Sequence, residues 1–138
     1  MEYQPHRSLL ALFVVFFFYN GTPQPNVQVS GTWEVRFSGK VQGKGASQDD
    51  TLVMELSQDG SSVRGRLRFK GLETTFPIRG EVKARTFTYS AKASVGRNCE
   101  ATVVAETTVD DVAGRFEGSQ TQSNCEGTAV GRVTAVRK

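Results

Sequence analysis

The chain of 138 residues carries 17 Lys and Arg against 14 Asp and Glu, for a net charge of +3, with 38% hydrophobic residues and 14 Gly. That length holds one ordinary domain. The composition excludes a disordered tract, and so mild a basic excess excludes a nucleic-acid-binding composition.

Arg7 precedes an unbroken apolar stretch from Leu9 to Tyr19, followed by Asn20-Gly21-Thr22-Pro23. A positive residue, a short apolar core and a polar exit outline a secretory signal. The run is shorter than the ~20 residues of a membrane-spanning helix. Residues 1–21 therefore read as a signal peptide or, if uncleaved, an N-terminal anchor; a buried core helix is the bland alternative. Either export reading places the domain in a secreted or periplasmic setting, or tethered to a membrane. Residues 22–30, with Pro23 and Pro25, read as a linker.

From Gly31 to Lys138 the dominant period is two, broken by turn signals, the pattern of an all-β antiparallel domain. Trp33, Val35 and Phe37 open it, followed by Leu52, Met54 and Leu56, then Val63, Gly65, Leu67 and Phe69. The fourth and fifth segments are Phe76, Ile78, Gly80 and Val82, then Phe87, Tyr89, Ala91 and Ala93. Ala101, Val103, Ala105 and Thr107 form the sixth. Val112, Gly114, Phe116 and Gly118 form the seventh, and Ala129, Gly131, Val133 and Ala135 the eighth.

Turn chemistry then sets registers. A turn at Asp59-Gly60 places Leu56 opposite Val63 and Glu55 opposite Arg64. One at Gly71 to Thr74 places Phe69 against Phe76. Ala84-Arg85 places Gly80 against Tyr89, and Asp110-Asp111 places Ala105 against Phe116. These turns are tight at the Trp33 end, whereas longer loops (Gln42 to Asp50, Gly71 to Thr74, Gly96 to Asn98, Thr121 to Asn124) gather at the other. Every segment has one apolar and one polar face, so a transmembrane barrel, greasy outside, is excluded. An eight-stranded up-and-down barrel is expected; a two-sheet β-sandwich shares the same periodicity.

The only two cysteines, Cys99 and Cys125, sit in matching Asn-Cys-Glu contexts at the loop-rich end. An even count in an exported chain points to one disulfide. The single histidine, His6, lies in the export segment, so the domain lacks a histidine-dependent triad or zinc site. The glutamates read as outward-facing, and Asp49, Asp50, Asp59, Asp110 and Asp111 as turn residues. No acid pair then faces a shared cavity for hydrolysis, and no phosphate-binding glycine motif is present. The domain is not expected to be an enzyme, and no cofactor or metal is expected. Calcium at Asp110-Asp111 is the weaker reading beside ordinary turn formation.

Gly31-Thr32-Trp33 at the start of the first strand resembles the G-x-W opening of the calycin barrels, the lipocalins and avidins. The resemblance implies a basic residue late in the barrel packed over that Trp, which places Arg137 on Trp33 as a barrel plug. A lipocalin-like mid-chain Thr-Asp-Tyr motif and the further tryptophans of avidins are absent, so no ligand identity carries over.

Two functions follow. A hollow barrel would carry a small apolar ligand, entering beside Cys99 and Cys125 and lined by Phe69, Phe76, Phe87, Tyr89 and Phe116, with Tyr89, Thr107 and Gln120 as its only inward polar groups. A solid barrel would be an interaction module or secreted inhibitor, working through the loop end or the basic face of Arg64, Arg66, Arg68, Lys70 and Arg79. That face suits an acidic protein or glycan surface; its bland reading is a solvated exterior. No exposed aromatics interleave with it, against nucleic acid. A monomer is expected.

Overall fold

Alternating apolar and polar residues give each strand one face to bury, and this chain buries all eight by curling one sheet on itself. In the computed structural model, which describes residues 25–110 and 112–138, the strands are β1 (Gly31–Val41), β2 (Ser47–Asp59), β3 (Ser62–Phe69), β4 (Thr75–Lys83), β5 (Thr86–Gly96), β6 (Cys99–Val109), β7 (Arg115–Asn124) and β8 (Gly127–Arg137). Each pairs antiparallel with its neighbour in sequence, and β1 pairs with β8 from Trp33↔Arg137 to Val41↔Ala129. The result is a closed up-and-down barrel, not a sandwich, with no free sheet edge. The export segment, residues 1–21, and Asp111 lie outside the described residues.

The faces follow the alternation, but three of the four expected registers are displaced. The β2–β3 hairpin turns on Gly60-Ser61, one residue beyond Asp59-Gly60, and pairs Asp59 with Ser62. Gly60 has φ 63 while Ser61 is not left-handed, so glycine stands first in the turn, as a type II′ hairpin requires. Leu56 therefore faces Gly65, and Glu55 faces Arg66 rather than Arg64. Leu67, not Phe69, pairs with Phe76, because the last β3–β4 pair is Arg68 with Thr75 and six residues, 69–74, lie between them. The Ala84-Arg85 turn does pair Gly80 with Tyr89.

The largest displacement lies between β6 and β7, where Val109 rather than Ala105 opposes Phe116. Asp110 is the cause. Its Oδ1 accepts from Gly114 N at 2.8 Å and Arg115 N at 3.3 Å, while its own N–H donates to Arg115 O. This enlarged loop leaves Val112 84% exposed instead of inside a strand. The expected split into a tight end and a long-loop end also fails. Residues 42–46, 70–74 and 110–114 form five-residue connections, and those at 97–98 and 125–126 have two.

Close barrel curvature needs missing side chains. A Cβ added to Gly65, Gly118 or Gly131 would collide with the backbone carbonyl oxygen of Glu55, Glu106 or Ser38 on the adjacent strand. Glycine lets those strands approach where the sheet bends hardest.

At the end of the barrel away from Trp33, Cys99 opens β6 and Cys125 lies in the β7–β8 turn; they form a disulfide with Cα atoms 5.4 Å apart. The bridge closes a separation of 26 residues. Reduction, or paired Cys→Ser substitution, should therefore lower stability by roughly 2–4 kcal/mol through chain entropy, measured by denaturant unfolding with and without reductant. An unchanged midpoint would show that the barrel rim is held without it.

Candidate functional site

The interior divides into a solid half and a hollow half. At the first end the residues ahead of β1 do more than connect. Val29 is fully buried and packs into the core. The Gln58 side chain accepts from Val29 N at 2.8 Å and donates to Val27 O at 3.0 Å. Asn26 Oδ1 accepts from Ala84 N at 2.7 Å. This short segment lies across the barrel end as a floor.

Trp33 stands on that floor, fully buried, and its indole N–H donates to Val29 O at 2.9 Å. Arg137 Cζ lies 4.5 Å from its ring centroid. The guanidinium donates to Ser30 O, to Gln28 O at 2.8 Å and, through Nε, to Ala113 O at 2.9 Å. Phe116 packs on Trp33 at 4.9 Å between centroids and on Phe87 at 5.4 Å, and Phe87 meets Tyr89 at 5.1 Å. Phe87, Tyr89 and Phe116, expected to line a ligand, instead fill the closed half.

Beyond them the side chains shrink. Ala91, Ala93, Ala101 and Ala129 replace rings, and at the disulfide end a cavity of about 500 Å³ opens. Phe69 and Phe76, 5.5 Å apart between centroids, line it. Val103 and Ala129 add apolar wall, and Leu72, 49% exposed, stands at the rim. Of the five expected lining aromatics, these two meet at the cavity.

The cavity also has a polar wall that the expected loop boundaries concealed. β2 begins at Ser47, so Asp50 is a strand residue, paired with inward-facing Phe37, and not a turn residue. β7 continues through Asn124, so Gln122 is a strand residue on the inner face with Gln120. Tyr89 OH donates to Gln120 Oε1 at 2.5 Å, Gln120 Nε2 to Gln122 Oε1 at 2.8 Å, and Gln122 Nε2 to Asp50 Oδ2 at 2.9 Å. Gln48 Nε2 adds a second bond to Oδ2 at 3.0 Å. The period-two series Gln120, Gln122 and Asn124 carries this signal; Gln120 is expected inside, but assigning Thr121 to Asn124 to a loop hides Gln122.

The basic face is where expected, on the exposed side of β3 and β4. Arg64 stands directly opposite Arg79, whereas Arg66 pairs with Glu55 at 3.4 Å. Arg68 lies between Val53 and Thr75, and Lys70 follows the end of β3.

No protein-family model and no curated protein sequence matches this chain. Among solved structures, one match is a protein of unknown function from the DUF3598 family of Nostoc punctiforme, 14% identical with a TM-score of 0.46. The match covers 86% of this chain and 53% of that one, so the chain spans about half the length of that neighbour.

Burial pushes the Tyr89 hydroxyl well above the ordinary tyrosine range. A raised native pKa means stability present below the unfolded-chain value of about 10 and lost as pH rises past it. Alkaline absorbance titrations of the native protein and Tyr89→Phe should therefore superimpose, and the wild type should lose stability faster above that pH. Phenolate absorbance from Tyr89 in the still-folded wild type would contradict its burial.

Proposed function

We propose that this protein is an exported, non-catalytic, calycin-like carrier that binds one small amphipathic molecule in the open half of its barrel. The cavity at the disulfide end carries this reading. Its volume of about 500 Å³ falls within the 300–1,000 Å³ common for small-molecule sites. It combines apolar walls with a few convergent polar groups, as such sites do, and Leu72 at the mouth offers an apolar contact for entry. The G-x-W opening and Arg137 over Trp33 support the calycin comparison, and the disulfide suits an oxidising compartment.

One observation favours a second use of the exterior. Like charges directly opposite one another on adjacent strands destabilise a sheet, yet Arg64 faces Arg79 and neither has a carboxylate partner among the described residues. A surface retaining that repulsion suits an acidic glycan or protein face. Arg79→Glu should raise stability by about 0.2–1 kcal/mol and lower the salt needed to elute the protein from a heparin matrix. Unchanged elution would mark the row as an ordinary solvated face.

For the cavity, Ala101→Trp should fill the space from β6. Binding of a neutral apolar dye such as N-phenylnaphthylamine should weaken by about tenfold or more. The melting temperature should move by less than about 5 °C. Undiminished dye binding in the folded variant would place the dye elsewhere and remove the support for this site.

A further inference from the structure

Resting on the carrier reading above, we infer that the cavity's occupant is a cation: a molecule with a protonated amine and an apolar or aromatic body, its ammonium against Asp50 and its body on Phe69 and Phe76. Three ionisable residues line the cavity, Lys44, Asp50 and Glu126. Their formal charges leave it at −1 in a chain whose net charge is +3. Lys44 and Glu126 stand exposed in the connections at the rim. Asp50 alone is a half-buried strand residue.

Direction matters in the polar wall. A carboxylate can only accept, whereas an amide can donate at one end and accept at the other. The series Tyr89, Gln120, Gln122, Asp50 therefore donates one way, from the core toward the carboxylate. Gln120 is 1% exposed and fixed at both ends, so Asp50 is positioned by the packed interior rather than by a loop.

Both bonds to Asp50 from this wall end on Oδ2. Among the described residues Oδ1 accepts nothing, and no Lys or Arg pairs with this side chain. A half-buried carboxylate without a counter-ion among the described residues, in a cavity also lined by Phe69 and Phe76, presents what an organic ammonium uses: an acceptor for its N–H groups and π faces for its charge. A fatty acid or other anion would set its own carboxylate against Asp50.

Three probes sharing one ring system separate the possibilities: naphthylethylamine, naphthylethanol and naphthylacetate, titrated calorimetrically into the full-length protein at neutral pH. The amine should bind about tenfold tighter than the alcohol, as expected for an ion pair screened between bulk-water and near-surface limits, and the acid should bind most weakly. Asp50→Asn should bring the amine down to the alcohol's affinity, while Glu126→Gln at the rim should leave the preference intact.

Alcohol binding as tight as the amine's, or acid binding tighter, would overturn the inference while leaving the cavity as a binding site. Loss of the preference in Glu126→Gln instead of Asp50→Asn would overturn the assignment to Asp50. Binding of none of the three would count against the cavity reading itself.

Discussion

Arg137 closes this barrel twice. Its backbone completes the β1–β8 seam opposite Trp33. Its side chain lies over the indole and donates to carbonyls before β1 and between β6 and β7. A cylinder of strands has two open ends, and water would otherwise enter at the Trp33 end. The guanidinium satisfies the carbonyls there while its flat face covers the ring, a task suited to five fixed donors on a planar group. Val29, Trp33 and Phe116 can then stay dry, and the aromatic packing above them rests on that floor.

The distribution of side-chain volume turns this one-sided closure into an asymmetric vessel. Trp33, Phe87, Tyr89 and Phe116 consume the lumen near the floor, and alanines along β5, β6 and β8 give it back near the rim. An eight-stranded barrel is just wide enough for side chains to fill it. Exchanging rings for methyl groups over the second half is therefore enough to leave a cavity. Tyr89 stands at the boundary, its ring among the aromatics and its hydroxyl at the start of the chain of amides leading to Asp50.

Much of the barrel was legible because facing depends only on parity. Moving the β2–β3 turn from Asp59-Gly60 to Gly60-Ser61 shifts each pair by two residues, so Leu56 exchanges Val63 for Gly65 and every side chain keeps its face. The β6–β7 displacement, four residues, is equally silent in parity. Strand ends were less legible. Asp49, Asp50 and the Gln-Ser-Asn residues after Thr121 have turn-forming composition, and only pairing with β1, β6 and β8 holds them in strands. That misreading cost little in fold and much in site, because the polar wall lies where composition suggested loops. The aromatic list erred differently: periodicity shows that Phe87 and Phe116 face inward, but not at what height along the barrel they meet Trp33.

The placement of Trp33 also determines what the protein can report optically. It is the sole tryptophan, sealed at the floor beneath Arg137 and Phe116 and absent from the cavity lining. Its emission is therefore a gauge of whether the closed end is intact. A molecule entering from the disulfide end would leave that signal almost undisturbed. A silent indole and an occupied cavity are compatible, so unchanged intrinsic fluorescence would not by itself mean an empty barrel.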